Sequence, residues 1–313
     1  MVGERVLVTG AAGFIGSRLA RRLHAEGHHV VGIDAFRGTT TPALAARRLA
    51  GLAGAPGFEL LERDLTAPGL ERVVRRVRPD VVFHLAGRPG ARDPDTAALV
   101  RDCVDATERL VEATVAAGVP EIVFSSSSTV YGDAGSRGAC PEDGPVLPLS
   151  PYGEAKRAGE LMVLASPLRS TVVRFFTVYG PGQRPDMAFA RFIDAALLGG
   201  SAPLYQPSSA ARDFTYVDDA VEGMLLAQRV GRSPVYNISG GAVVSLERAC
   251  RLIEELTGAT LSTHAEPAPP QPSTTSADLR LARRELGYAP RVDLRAGLAA
   301  QVAAAYASVS AVG

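Results

Sequence analysis

Two hydrophobic periodicities take turns along the first half of this 313-residue chain. Apolar runs of strand length fall at about 4–9, 28–33, 57–62, 79–85, 120–125 and 170–174. Segments with helical spacing lie between and after them, at about 16–26, 42–53, 67–78, 94–117 and 149–166. Strands joined through helices pair in parallel, because each crossover carries the chain back to the same end of the sheet. The pattern therefore predicts an α/β fold built on an open, doubly wound parallel sheet with helices on both faces and ligands at the carboxyl ends of the strands. Past Phe176 the pattern loosens. Gly180, Pro181, Gly182 and Pro185 mark entry to a smaller, mixed region over 177–313. Helices are expected there near 186–199, 245–257 and 293–308, with a strand running into a helix from Arg212 and a proline-rich loop over 265–277. The first domain is expected to span 1–176 and to be rejoined by about 213–235.

The first apolar run leads straight into Thr9-Gly10-Ala11-Ala12-Gly13-Phe14-Ile15-Gly16. Gly10 permits a tight turn, Gly13 lets backbone amides approach a pyrophosphate, and Gly16 lets the helix lie against the strand. Phe14 and Ile15 stand in the first turn of that helix, whose free N–H groups and positive dipole end suit phosphate. The second run ends at Asp34, placed to accept hydrogen bonds from an adenosine ribose and to repel a 2′-phosphate, which favours NAD over NADP. Arg37 pulls the other way, as a cation able to serve such a phosphate. Asp64, followed by Leu65, suits either the adenine amino group or the capping of the next helix. After the fourth run, Leu85 and Ala86 are small or apolar enough to let backbone approach a dinucleotide, while His84 reads as a satisfied residue at the sheet end. Ser125, Ser127, Ser128 and Thr129 close the fifth run, where hydroxyls face the cleft in this architecture. Phe176 completes the expected cofactor contacts.

Lys156 is the only lysine in a chain with 33 lysines plus arginines. An ammonium is a compact point charge, whereas a guanidinium is a planar fork that does not lose its proton, so this position needs something that 32 other cations do not supply. Tyr152 precedes it by four, one helical turn, so both side chains look into one cleft. A cation there favours phenolate and draws the phenol down from its ordinary value of about 10 toward the range of a general acid/base. Ser150-Pro151 supplies an N-cap and a first-turn proline for that helix.

Formal net charge is zero and no Lys/Arg run exceeds a pair, so neither nucleic acid nor an anionic membrane is an expected partner. Three widely spaced cysteines fit neither a disulfide framework nor a metal cluster, and a cytoplasmic setting follows. The chain begins almost at once with a strand, which leaves no room for a signal peptide. The Ala-rich end from Ala296 to Val312 is interrupted by Gln301, Tyr306 and two serines, and reads as a packed terminal helix.

Taken together these residues resemble an extended short-chain dehydrogenase/reductase of the Rossmann class, within the nucleotide-sugar epimerase/dehydratase family. The resemblance spans nearly the whole chain: GAAGFIG at 10–16, SSSSTVYG at 125–132, YGEAK at 152–156, RFFTVYGP at 174–181 and RDFTYVDD at 212–219. Cys103 departs from it, standing where members commonly carry Asn near the cofactor. The resemblance implies that Tyr152, as phenolate, takes the proton of a sugar 4-OH during oxidation by NAD. Lys156 would hold the phenolate and bond the nicotinamide ribose, with Ser127 on the sugar O4 and Thr129 beside it. Dehydratases of this kind carry an Asp-Glu pair where Ser128-Thr129 stand, and decarboxylases carry Glu at the place of Thr129. Two hydroxyls imply the simpler outcome, in which the 4-keto sugar turns and takes the same hydride back on its other face.

The segment from Thr177 to Ala188 looks most like the UDP-glucuronate 4-epimerases. In that group Thr177 and Arg184 lie near the sugar's C6 end, with Met187 in the same stretch, and Arg92 matches another of the group's arginines. An arginine suits a carboxylate, although each of these two would serve equally as half of a surface ion pair. Arg212 resembles the family's diphosphate contact, and Tyr205 stands where uracil would lie. The implied activity is C4 epimerisation of UDP-glucuronate to UDP-galacturonate by a homodimer formed through the helices near 94–117 and 149–166. The alternatives are a UDP-glucose or UDP-N-acetylglucosamine 4-epimerase and a non-catalytic NAD-sensing binding protein.

Overall fold

A computed structural model describes residues 3–38, 40–90, 95–267 and 271–310. The chain divides into two compact units. One comprises Met1–Val130, Ser150–Arg174 and Met224–Tyr236, and the other Tyr131–Leu149, Phe175–Gly223 and Asn237–Gly313.

The first unit runs β1 (Arg5–Thr9), α1 (Phe14–Ala25), β2 (His29–Asp34), α2 (Pro42–Arg48), β3 (Phe58–Glu62), α3 (Leu70–Val77) and β4 (Val81–His84). It continues with α4 (Thr96–Leu99), a π-helical stretch Val100–Asp105, α5 (Ala106–Ala116), β5 (Glu121–Ser127), α6 (Pro151–Ala165) and β6 (Arg169–Phe175). The remaining elements are β7 (Val178–Tyr179), α7 (Ala188–Leu198), β8 (Ser201–Leu204), β9 (Ala211–Asp213), β10 (Thr215–Tyr216), α8 (Val217–Val230) and β11 (Val235–Ile238). After them come β12 (Val243–Ser245), α9 (Leu246–Thr257), β13 (Ser262–Ala265), α10 (Arg280–Leu286) and α11 (Leu294–Ser310).

Seven strands form the main sheet in the order β11-β6-β5-β4-β1-β2-β3. The pairings of β3 with β2, β2 with β1, β1 with β4 and β4 with β5 are parallel, as the alternating periodicities require. The order reverses between β1 and β4, so the crevice for a ligand opens at the carboxyl ends of those two strands. The middles of the central strands are apolar because helices cover both faces, and polar residues such as Thr9, His84 and Ser125 come at the carboxyl ends. Val6, Leu7, Val8, Val82 and Val123 have no exposed surface, and α3, α5 and α6 close one face through Val74, Leu110 and Val163.

The second unit holds three two-stranded sheets, β7 with β10 and β8 with β13 in parallel and β9 with β12 antiparallel. Its core is aromatic. Tyr179 meets Phe189 edge-on at 5.4 Å between ring centres, and Phe189 meets Phe214 at 4.6 Å.

Several stretches differ from the sequence expectation. α2 stops at Arg48, short of residue 53, where Gly51 and Gly54 take positive φ. The helix expected over 94–117 is interrupted by the π-helical stretch. β7, β8, β11, β12, β13 and α10 go beyond the expectation, and the loop expected over 265–277 begins with the last residue of β13. Among the described residues, no helix is long and apolar enough to cross a membrane, and no group of three or more His, Cys, Asp or Glu could hold a metal ion.

Candidate active site

The turn after β1 is shaped by what it excludes. Gly10 sits at φ +71°, and a Cβ on it would lie 2.8 Å from the Ala86 backbone nitrogen. At Gly13 and Gly16 a Cβ would fall 2.9 Å and 2.1 Å from the Gly10 carbonyl oxygen. Any side chain would force the strand-to-helix turn open. Gly13 is also the N-cap of α1 and offers no side-chain cap, so the amides of the first turn, at Phe14 and Ile15, are left for an anion. This cradle fits the pyrophosphate of a dinucleotide.

Asp34, at the carboxyl end of β2, accepts from the amides of Ala12 at 3.0 Å and Phe36 at 2.9 Å. Burial raises its carboxyl above the ordinary value, against the pull of those amides and Arg48. Arg37 pairs with Asp64, whose other oxygen accepts from the Thr66 amide and hydroxyl at 2.8 Å each. Both groups are thus engaged with the protein, and Asp64 does not cap the next helix: the N-cap of α3 is Gly69, and Asp64 closes a local turn over Thr66 instead. Leu65 is buried beside it. The amide of Leu85 donates to the Thr9 carbonyl and that of Ala86 to the Thr9 hydroxyl, each at 3.2 Å, which fixes the strand end over the glycine turn.

His84 lies under that strand end with no exposed surface, between the Thr9 hydroxyl at 2.7 Å and the Thr107 hydroxyl at 2.9 Å. Burial, with the Lys156 charge, lowers its pKa to about 3, so the ring is neutral. Thr107 gives its one proton to the Cys103 carbonyl and must accept from His84 Nε2–H, which leaves Nδ1 to accept from Thr9. Its capacity is used up within the scaffold.

The Tyr152–Lys156 pair rides on α6, whose first turn is capped by Ser150 Oγ accepting from the Gly153 amide at 3.2 Å. Lys156 is 6% exposed. Its Nζ donates to the Ser125 carbonyl at 2.8 Å and lies 6.0 Å from the centre of the Tyr152 ring. Burial depresses the ammonium, and Cys103 and Glu160 act in the opposite sense. Cys103, in the π-helical stretch, bonds the Arg88 amide and carbonyl through its sulfur at 3.2 and 3.4 Å. Burial holds that group in the thiol form. A Cβ at Gly87 would lie 3.4 Å from Cys103 Sγ and 3.7 Å from Lys156 Nζ, so thiol and ammonium flank one glycine. At the end of β5, Ser127 Oγ accepts from the Thr129 amide at 3.2 Å and Ser125 is buried; in the 3-10 helical stretch Ser128–Arg137 that follows, Ser128 is buried and Thr129 Oγ1 is buried without a hydrogen-bond partner among the described residues. A buried hydroxyl of this kind calls for a ligand or a water.

The second unit carries the other candidates. The Thr177 carbonyl accepts from the Thr215 amide at 3.0 Å. Arg184 closes on Asp186 through two parallel bonds of 2.9 and 2.7 Å, and its neighbour Gln183 is held by Gln301 at 2.8 Å. Met187 caps α7, and the Tyr205 hydroxyl accepts from Arg191 at 2.6 Å. Phe176 is buried 6.1 Å from the Tyr131 ring. Arg212 donates to the carbonyls of Ala211, Ser273 and Pro272 and to Gln206, all neutral acceptors, and burial lowers its pKa to about 10. Arg92 lies outside the described residues.

Glu160 was not singled out from the sequence. It has no exposed surface and binds Ser126, Arg157 and Arg174. The available signal was its place one helical turn beyond Lys156.

The model of the NAD dependent epimerase/dehydratase family matches residues 6–239, from β1 through β11. The chain belongs to that family. A UDP-glucuronic acid 4-epimerase from Bacillus cereus, solved with UDP-glucuronic acid and NAD, is 34% identical, with a TM-score of 0.90 over 97% of this chain and 99% of that one. MoeE5, solved with UDP-glucuronic acid and NAD, is 39% identical with a TM-score of 0.87 over the same shares, and it has also been solved with UDP-glucose and NAD. A dTDP-glucose 4,6-dehydratase from Streptomyces griseus is 36% identical over 95% of this chain and 93% of its own length.

Proposed function

We propose that this family member is an NAD-dependent UDP-sugar 4-epimerase acting on UDP-glucuronate and UDP-galacturonate. The observation that carries the reading is the buried Lys156 ammonium, held on Ser125 one turn from Tyr152, in a site whose β5 end offers hydroxyls and no carboxylate. Bound NAD supplies a reversible electron-pair acceptor for C4. Tyr152 takes the 4-OH proton as phenolate, Lys156 stabilises that charge, and Ser127 and Thr129 orient the sugar oxygens. Once the keto sugar has turned, Tyr152 returns the proton. Elimination across C5 and C6 needs an acid and a base where Ser128 and Thr129 stand, and neither hydroxyl serves as one.

Arg212 supports a diphosphate, being a buried cation whose partners are all neutral. Arg184 supports a carboxylate at C6, because its fork is already in bidentate register with one from Asp186. That same engagement favours a second reading, a neutral UDP-sugar 4-epimerase in which Arg184 only shapes the loop. Among the described residues the three cysteines form no disulfide, which accords with a reducing, cytoplasmic setting. Exposed Val115 on α5 and Leu161 on α6 accord with a homodimer through those helices.

The test is turnover of purified UDP-glucuronate, UDP-galacturonate and UDP-glucose, separated by chromatography. Interconversion of the two uronates without net NADH is expected, with Arg184→Met raising KM for the uronate roughly 10- to 100-fold, the loss of one charged hydrogen-bonding partner. Equal turnover of UDP-glucose would establish the neutral-sugar reading. No turnover of any of them by protein holding NAD would make it a binding protein.

A further inference from the structure

Lys156 is enclosed, and what surrounds it decides whether an ammonium survives there. Facing it are Tyr152 on its own helix, Cys103 from the π-helical stretch, neutral His84 from β4, and the Ser125 carbonyl of β5. Of these, His84 is neutral and Cys103 is a thiol, so neither balances the ammonium. The acidic group that acts on it is Glu160, four residues on along α6.

Glu160 is also the point where three elements meet. One of its oxygens accepts from Ser126 Oγ on β5 at 2.6 Å and from Arg174 Nε on β6 at 2.8 Å. The other accepts from Arg174 at 2.9 Å and from Arg157 on α6 at 2.9 Å. Arg174 is 2% exposed and Glu160 not at all, so this bidentate pair is sealed from water. Ser126 lies between Ser125, which receives the lysine, and Ser127, which belongs to the site.

We propose that Glu160 is a positioning residue for Lys156, its carboxylate pinning α6 to β5 and β6 and offsetting the charge of Arg157 and Arg174. This rests on the reading of Tyr152 and Lys156 as the proton-transfer pair. Charge balance and mere packing predict different behaviour. Removing the carboxylate alone leaves the Arg174 and Arg157 charges without that offset, which disfavours a further cation at Lys156. Removing Arg174 alone withdraws one positive charge while Glu160 stays paired with Arg157, which favours one. Removing both restores the balance.

The experiment measures kcat against pH for NAD-loaded protein, with folding checked by thermal unfolding. Glu160→Gln should move the alkaline limb to lower pH, by roughly one pH unit or tenfold in proton concentration, and Arg174→Met should move it upward. The double variant should return the limb close to that of the parent, and Glu160→Asp should keep the limb while lowering kcat. If Glu160→Gln does not fold, the opposed positions of Arg174→Met and the double variant still decide. Limbs that coincide in all variants, with only kcat scaled, would overturn the proposal, as would shifts of the same sign in both single variants. Lys156→Met is the separate control. Undiminished activity there removes the proton-transfer reading, whereas loss of activity there combined with coincident limbs removes only the role of Glu160.

Discussion

Lys156 and Glu160 lie one turn apart on the same helix, yet only the first was legible in the sequence. A lone lysine among 32 arginines marks itself, because substitution by the commoner cation is chemically inadequate there. Glu160 looks like any acidic residue on a helix, and its burial depends on Arg174, 14 residues away on the next strand. The same holds for Thr129, whose residue type was readable while the lack of a partner for its hydroxyl among the described residues was not. At this scale the decisive change is Tyr152→Phe, which removes one oxygen and keeps the ring. It should lower kcat by about 10²- to 10⁴-fold, the range of general acid/base catalysis, while bound NAD and the melting temperature stay near those of the parent. Turnover and cofactor content measured on the same preparation check this, and an undiminished kcat would end the assignment of Tyr152 as base.

Elements were readable where one periodicity persisted and unreadable where packing overrode it. β1, the glycine turn and α1 were placed within two residues, because a buried strand, three glycines and an amphipathic run each constrain the backbone independently. The helix at 94–117 shows no sequence break at Val100, yet it widens into a π-helical stretch there, with Thr107 taking up the Cys103 carbonyl. The glycine turn gives the firmest prediction at this scale. Gly16→Ala places a methyl group 2.1 Å from the Gly10 carbonyl, backbone that can move only by opening the cradle. A loss of about 1–3 kcal/mol in stability is expected, the usual cost of overpacking, together with loss of NAD during gel filtration. Retention of both would show that the α1 terminus does not hold the pyrophosphate.

Over the whole molecule, the parallel, doubly wound sheet followed from alternating periodicities, while β11 did not, because it reaches the sheet from residue 235 and only its partner strand identifies it. Acid sensitivity also belongs to this scale, since it sums groups across the fold. His84 is held near 3 in the folded chain and returns to about 6.5 on unfolding. Below pH 6.5 the unfolded chain therefore binds a proton that the folded chain refuses, so stability rises with pH across this window and is lost on acidification. Glu160 acts lower. Burial works to raise its carboxyl, but Arg174, Ser126 and Arg157 outweigh that, so its contribution is present above its ordinary value and is lost as pH falls through the depressed one. Asp34, Glu121 and Asp213, raised by burial, oppose both trends. A His84→Gln variant keeps those carboxyls and removes only the imidazole, so the comparison isolates His84. Between pH 7.5 and pH 5 the stability advantage of the parent over this variant should shrink by about 2 kcal/mol, one proton over the interval below 6.5. Denaturant unfolding of both proteins at the two pH values measures it. An advantage that stays constant would mean that the imidazole takes up a proton in the folded state, which the bonds from Thr9 and to Thr107 leave no room for.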